Sequence, residues 1–464
     1  MTNAGLIYSK LPVWAQNWAC SYYGRREARI RYSPAFHEKL QWLQDTEFWP
    51  TDRIAAYKDE RVRALAEHAY RTVPYYRRVF DEYNLKPDDI QGADDLPKLP
   101  ILTKEDVRAN LPDLISRDYR QKNLVEVHTS GTTATRLVFF KHPDAIAFQW
   151  AVWWRHRIRF GCRLGDPHVN FTGKPVVPAG QARPPYWRYN SHLSQHLINM
   201  HHVTPDKIGD IVGFLNALRP KFYSGYPSII SEVARLAMEN SLELQPEARP
   251  GLIFAGAENV LDFQRGAIEA WTRGRVTDQY GASEGCGNAS LCKHDVYHED
   301  FEFAHLECDQ PGALDDGSTR SRVLCTGFAN PAMPLIRYDI GDVAVWEPAD
   351  YQCKCGRKSM AICSIDGRID DYVLTPEGRR IMRFDYLFKD TPAISEAQVC
   401  QFREGEITVR VVRRPGYGAE DDEQLRKLLA QWISPLLEVN IEHVATLERE
   451  PNGKLRAVKS YLKQ

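Results

Sequence analysis

A chain of 464 residues exceeds what one hydrophobic core organises, so two or three domains are expected. Its 43% hydrophobic and 26% charged residues are those of an ordinary water-soluble globular protein. The 60 basic and 61 acidic residues, net charge -1, exclude a general nucleic-acid or acidic-membrane surface, so any bound anion must be held by a local site.

The first 50 residues are aromatic and basic without a clear period, and are expected to wrap onto a larger body. Lys10, Pro12, Gln16 and Asn17 interrupt the apolar residues of the first 23, which argues against a secretory signal, and no later run reaches the length of a membrane span. From Asp52 onward, Ile54, Tyr57, Val62, Leu65, Ala66 and Ala69 share one face of a helix that Pro74 stops. A short helix and a turn-rich connection follow over 75–100, and Thr103 caps the next helix.

Residues 125–128 and 137–140 read as two strands around a hydroxyl-rich turn. Thr129, Ser130, Gly131, Thr132 and Thr133 could fold backbone N–H groups and four hydroxyls around a phosphate. The turn lacks the second glycine and the Lys-Ser/Thr end of a Walker loop, and a polar hairpin turn is the plain alternative. The stretch 142–161 has a helical aromatic stripe, assigned to the core. A strand at 169–172 and a Pro-rich loop at 175–185 come next.

Strands and helices then alternate: helix 205–218, strand 221–224, helix 228–240, strand 251–255, helix 261–273, strand 275–279. The alternation predicts a parallel sheet whose turns at Gly225, Gly256 and Gly281 open on one edge, where such sheets bind ligands. Just before Gly281, Tyr280 offers a flat face for a base, and just beyond it Glu284 offers oxygens for magnesium. After Glu284 the texture is all-β, with short runs at 301–305, 322–326 and 343–346 and Arg-Asp pairs at tight turns around Asp342 and Arg368. The last hundred residues read as a small α+β unit: helix near 383–388, strands 395–402 and 406–412, helix 421–437, strand 440–444. Lys454 sits after an Asn-Gly turn in its tail.

The order of the hydroxyl loop 129–133, Gly256-Ala257-Glu258, Gln279-Tyr280-Gly281-Ala282-Ser283-Glu284, Arg337 to Asp342, Gly367 to Asp371 and Gly453-Lys454 resembles the adenylate-forming ligases. The stretches 69–76, 96–104 and 223–228 are similar to their phenylacetate-CoA ligase and CapK-type branch. The resemblance implies an α/β large domain of parallel sheets and helices over 1–369, with a β-rich segment at 286–365, then a small mobile α+β domain over 370–464.

It also implies roles. Thr129 to Thr133 would hold the ATP phosphates, Gly256 to Glu258 and Tyr280 would enclose adenine, and Ser283 would lie near the α-phosphate. Glu284 would bind Mg²⁺, Asp342 the ribose hydroxyls with Arg368 nearby, and Lys454 would bridge the substrate carboxylate and the α-phosphate. Asp370 matches the hinge about which the small domain turns between half-reactions. The implied activity is ATP-dependent adenylation of a small carboxylic acid, with aromatic acids among the candidates, and transfer of the acyl group to coenzyme A. An amine or a carrier protein is the alternative acceptor. Ala134 and Arg136 depart from the family loop, which leaves open a nucleotide-binding protein without turnover.

Three thiols and an imidazole in two clusters suit tetrahedral zinc. The resemblance favours Cys292, His298, Cys353 and Cys355 as a structural site, with His294 as the competing imidazole and unligated thiols as the alternative. The ten cysteines otherwise read as reduced thiols of a cytoplasmic protein. No nucleic-acid or membrane partner is expected, and a homodimer is the default oligomer.

Overall fold

The computed structural model describes residues 3–128, 137–314, 316–366, 372–381, 384, 393–448, 456 and 458–462. The loop Thr129 to Thr133, with Ala134 and Arg136, and Arg368, Asp370 and Lys454 lie outside the described residues, as does nearly all of the helix expected near 383–388.

Three helices open the chain: α1 (Asn3–Lys10), α2 (Val13–Arg31) and α3 (Pro34–Thr46). No apolar period marks these helices, and the physical reason lies in α2, whose docked face is polar. Next come α4 (Thr51–Thr72) and α5 (Pro74–Glu82). Pro74 both ends α4 and serves as the first residue of α5, where its missing N–H costs nothing. On α4, Ile54, Val62, Leu65, Ala66 and Ala69 are buried as their spacing predicts. At α6 (Lys104–Ala109), the Thr103 hydroxyl accepts from the Asp106 N–H at 3.1 Å and the Asp106 carboxylate accepts from the Thr103 N–H at 2.9 Å.

Strands β1 (Val125–His128) and β2 (Val138–Lys141) form a separate antiparallel hairpin. Then follow α7 (Pro143–Arg159), β3 (His168–Thr172), β4 (Trp187–Asn190), β5 (Gln195–Asn199), α8 (Ile208–Leu218), β6 (Phe222–Gly225), α9 (Pro227–Glu239), β7 (Leu252–Ala255), α10 (Asp262–Thr272) and β8 (Arg275–Gly281). The β-rich stretch supplies β9 (Asn288–Leu291), β10 (Tyr297–Glu299), β11 (Ala304–Ala313), β12 (Thr319–Gly327), β13 (Tyr338–Trp346) and β14 (Ala361–Asp366).

These strands join in one sheet of twelve, ordered β11-β12-β13-β14-β10-β9-β8-β7-β6-β3-β5-β4. The run β5-β3-β6-β7-β8 is parallel, and every other pairing is antiparallel. Strand β8 is the joint, parallel to β7 on one side and antiparallel to β9 on the other. The parallel strands are covered on both faces, as such strands must be. Phe222 and Phe254 pack against Phe36 and Trp154 of α3 and α7, while Tyr223, Ile253 and Val276 face the α8, α9 and α10 side. Residues 301–305, expected as a strand, only begin one, since β11 starts at Ala304. Asp342, expected at a turn, lies inside β13. Strands β4 and β5 were not foreseen beside the Pro-rich loop.

The C-terminal part holds a two-stranded β15 (Val373–Leu374) and β16 (Arg380–Ile381), then β17 (Ile394–Arg403), β18 (Glu406–Arg413), α11 (Ala419–Trp432), β19 (Glu438–His443) and β20 (Val458–Ser460). Its own sheet has the order β19-β18-β17-β20. It meets the larger part through Arg379, which donates to the Met200 carbonyl at 3.3 Å, through Arg235, which donates to the Gly378 carbonyl at 2.8 Å, and through His201, 3.0 Å from the Trp432 carbonyl. Among the described residues, no helix is long and apolar enough to cross a membrane.

Candidate functional site

The three parallel strands β6, β7 and β8 end side by side, with Gly225 paired to Ala255 and Ala255 to Asp278. Gly225 is obligatory, because a Cβ there would stand 2.1 Å from the Phe171 carbonyl oxygen at φ +127. Its carbonyl accepts from the Gly256 N–H at 3.2 Å, which seats the Gly256-Ala257-Glu258 turn on the same edge. Ala257 takes the left-handed conformation with φ 66. The Glu258 carboxylate accepts from the Ser228 N–H at 3.3 Å, at the positive end of α9. Tyr223, one of the family-like residues 223–228, buries its ring in the core, 5.2 Å from that of Phe171.

Beyond β8 the expected residues converge. The Tyr280 hydroxyl donates to Asp342 Oδ2 at 2.9 Å, although the two are 62 positions apart. The Tyr338 hydroxyl donates to Glu284 Oε1 at 3.3 Å. Gln279 donates to Ser290 Oγ at 3.0 Å, and the Ala282 carbonyl accepts from Gln149 Nε2 at 3.3 Å, so both ends of the Tyr280 turn are fixed from neighbouring elements. Gly281 and Ser283 remain exposed while Glu284 is buried, so the turn forms a rim above a recessed carboxylate.

Two lysines face that carboxylate. Lys104 donates to the Ile340 carbonyl at 2.9 Å and acts on Glu284 through its charge. Lys141, the last residue of β2, is buried and donates to Gln149 Oε1 at 3.0 Å. Its ammonium lies against Gly285, where a Cβ would come within 2.6 Å of Nζ and φ is +74, so a side chain there would displace the lysine. Burial lowers the Lys141 ammonium to about 8, partly opposed by the negative charge of Glu284. Burial likewise raises the Glu284 carboxyl, with Asp342 adding to the effect and Lys104 and Lys141 working against it. Sequence reading passed over Lys141. A signal was present, since in β2 it shares the inward face with Phe139 two positions before, where a charge needs a reason.

The second cluster lies at the far end of β9 and β10. Cys292, His298, Cys353 and Cys355 bring one ligand atom each within 4.8 Å of one another. The sulfurs of Cys292 and Cys353 are 3.7 Å apart, close to the edge of about 3.8 Å that a zinc–sulfur bond of about 2.3 Å gives a tetrahedron. Cys355 Sγ is 3.3 Å from His298 Nε2, and the other ring nitrogen is 3.4 Å from the Ser359 carbonyl, an orienting contact of the kind metal-bound imidazoles use. His294 meets the cluster through its backbone N–H, which donates to Cys292 Sγ at 3.3 Å. Cys355, His298 and the His294 N–H draw the Cys292 thiol down, while the shared proton pushes Cys355 up, so the cluster favours a thiolate at Cys292. The donor set fits a soft divalent ion.

A buried ionic network connects the two clusters. Arg357, two residues after Cys355, donates to Asp300 Oδ1 at 3.2 Å. Arg155 donates to the same oxygen at 2.7 Å and to both oxygens of Glu302 at 2.6 and 2.9 Å. Asp300 Oδ2 accepts from Asn288 and from Ser290, each at 2.6 Å. Ser290 is the partner of Gln279, so a continuous line of polar contacts runs from the cysteine knuckle to the Tyr280 turn.

Residues 373–461 match the CapK C-terminal domain. The chain is 26% identical to Protein CapK of Staphylococcus aureus over 375 residues, covering 80% of this chain and 79% of that protein. It is 39% identical over 352 residues to the phenylacetate-coenzyme A ligase of Escherichia coli (strain K12), covering 72% of this chain and 75% of the relative. Among solved structures, 2-hydroxyisobutyryl-CoA ligase in complex with 2-HIB-AMP and CoA superposes with a TM-score of 0.57 at 20% identity, over 89% of this chain and 91% of that one. That likeness shows the adenylate-forming fold, and with the identity to the Escherichia coli enzyme the chain belongs to the phenylacetate-coenzyme A ligase family.

Proposed function

We propose that the protein activates a small carboxylic acid with ATP as an acyl-adenylate and passes the acyl group to coenzyme A. The observation that carries this is the meeting of Tyr280, Glu284, Tyr338 and Asp342 beside the carboxyl ends of β6, β7 and β8. Relatives named for phenylacetate-coenzyme A ligation, and a fold shared with a ligase seen with an acyl-AMP and CoA, support it.

A carboxylate attacking an α-phosphate approaches like charge, and fixed positive groups lower that barrier. The oxygen of the acid displaces pyrophosphate, and the thiol then displaces AMP from the mixed anhydride. In this chain Tyr280 and Asp342 would hold the nucleoside, Asp342 by charge-assisted hydrogen bonds to the ribose. Glu284, a buried carboxylate with one neutral donor and two nearby ammonium groups, suits a hard cation held mostly by phosphate and water. Magnesium, when bound, would supply positive charge to the phosphate oxygens. Thr129 to Thr133, Arg368, the hinge Asp370 and Lys454 keep the roles that the resemblance implies, as does the division at 369/370.

The test is acid-dependent pyrophosphate exchange over a panel of carboxylic acids, with Lys454→Ala beside the unsubstituted protein. Exchange is expected with at least one small acid, and a fall of about 10²–10³ in the variant with its fold retained by circular dichroism. Unchanged exchange would reject Lys454, and tight ATP binding without AMP from any acid would leave a nucleotide-binding protein. The assay includes a free amine and a carrier protein beside coenzyme A as acceptors, so that the alternative acceptors are tested as well.

Zinc at Cys292, His298, Cys353 and Cys355 belongs to the same proposal. When bound it would tie β9 and β10 to the loop before β14. Purified, chelator-washed protein is expected to hold about one equivalent of metal, and Cys355→Ser to lose it along with several degrees of melting temperature. Less than about a quarter equivalent in the unsubstituted protein would defeat the assignment.

A further inference from the structure

Helix α2 is inside out. Its docked face is polar: Gln16 Oε1 accepts from Arg188 Nε at 2.6 Å, Asn17 Oδ1 from the Tyr189 N–H at 2.9 Å, and Ser21 Oγ from the Ser191 N–H at 3.1 Å. Gly24 lets the helix approach β4 closely, since a Cβ there would stand 2.2 Å from Asn190 Oδ1. These contacts fix the helix's rotation and leave its large apolar side chains outward. Trp14 is 74% exposed, Trp18 67% and Tyr22 56%, and Ile7, Leu11 and Tyr23 are exposed with them.

The spacing Trp14, Trp18, Tyr22, Arg25, Arg29 is one stripe along α2, with Leu11 exposed just ahead of it. The rings of Trp18 and Tyr22 stack at 5.7 Å with 13° between their planes, and among the described residues nothing covers the stripe. A folded protein seldom leaves two tryptophans and a tyrosine outward in a row unless something apolar receives them.

Charge selects what receives them. Lys10, Arg25, Arg26 and Arg29 are all exposed around the stripe, whereas the single acid of α2, Glu27, is held by Arg31 at 2.9 Å. The even charge balance of the whole chain conceals this local excess. A second copy docking here would need acids to meet the arginines, and the stripe carries none. Tryptophan and tyrosine beside arginine on a helix too polar to span is the chemistry of the bilayer interface. The geometry points to α2 as a seat on an anionic lipid surface, lying flat with Trp14, Trp18 and Tyr22 among the headgroups and Arg25, Arg26 and Arg29 on lipid phosphates. It revises the expectation of no membrane partner, for a surface contact rather than a span. Strand β4, against which α2 packs, is the outer edge of the sheet, with β5 and β3 between it and β6, so the seat is separate from the cleft.

The test is sedimentation of the full chain with vesicles of phosphatidylglycerol and phosphatidylcholine, and with phosphatidylcholine alone. Binding is expected only to the anionic vesicles, falling at least about tenfold for W14S/W18S, and likewise for R25Q/R26Q/R29Q. Acid-dependent exchange in solution should be unchanged in both variants, so failure here and failure of the ligase proposal are told apart. The inference is overturned if the protein stays in the supernatant with anionic vesicles, if the tryptophan variant binds as well as the unsubstituted chain, or if that variant splits a dimer present in solution.

Discussion

Glu284→Gln is expected to lower acid-dependent pyrophosphate exchange by about 10²–10³, and to raise the melting temperature of the ligand-free protein. Both effects have one cause. Burial raises the Glu284 carboxyl, so the folded state binds its proton more tightly than the unfolded chain does. Stability is therefore lost as pH rises from the ordinary glutamate range through the raised value, because the buried carboxylate is a net liability wherever it is ionised. Glutamine removes the charge, keeps an oxygen for the Tyr338 hydroxyl, and should flatten that part of the pH–stability curve. Its neutral oxygen holds a divalent cation more weakly than a carboxylate does, so the Mg²⁺ concentration needed for half-maximal exchange should rise as well. Exchange within about threefold of the unsubstituted protein, or a variant less stable at pH 7, would contradict this assignment of the carboxylate.

Asp300→Asn is expected to cost about 3–5 kcal/mol of stability, the usual penalty for removing one partner of a buried ion pair. Burial pushes the Asp300 carboxyl up, but Arg155, Arg357 and Arg159 together hold it well below the ordinary carboxylate range. The sign follows: this stabilisation is complete above the unfolded value of about 3.9 and is lost as pH falls below it. The unsubstituted protein should thus show a steep acid limb that the variant lacks, the variant having lost the same free energy at every higher pH. Because Asp300 also fixes Ser290, and Ser290 fixes Gln279, the KM for ATP should rise more than kcat falls. A denaturation midpoint unchanged at pH 7 would show that the remaining acids, Glu302 above all, satisfy the three arginines alone.

The parts of the fold legible in the sequence are those whose buried face is apolar. Helix α4 could be read from Ile54 to Ala69, and the alternation from α8 to β8 from its runs of valine, isoleucine and phenylalanine, because packing selects residues at the period of the element. The same rule hid α2, where Gln16, Asn17, Ser21 and Gly24 face inward and the aromatics outward, so no period pointed to a core. It also hid the continuity of the sheet, since nothing in the composition of β9 to β14 says which neighbour β8 will take. In the site, Tyr280, Glu284 and Asp342 were legible through the order of short motifs and the family they resemble. Lys141 was missed although its alternation with Phe139 marks it as inward, because a lysine ending an apolar strand looks like an exposed stop, and its partner Glu284 is visible only in the fold.

The joint at β8 bears on how such proteins can diverge. Its amides bond to β7 on one side and to β9 on the other, so no cut near residue 281 separates two self-sufficient modules. A chimera that exchanges the antiparallel half between relatives must therefore bring its own β8, and its Asp300 and Glu302 must still meet Arg155. Recombination within this lineage should accordingly tolerate crossovers in the connection preceding β8 and select against those just after it.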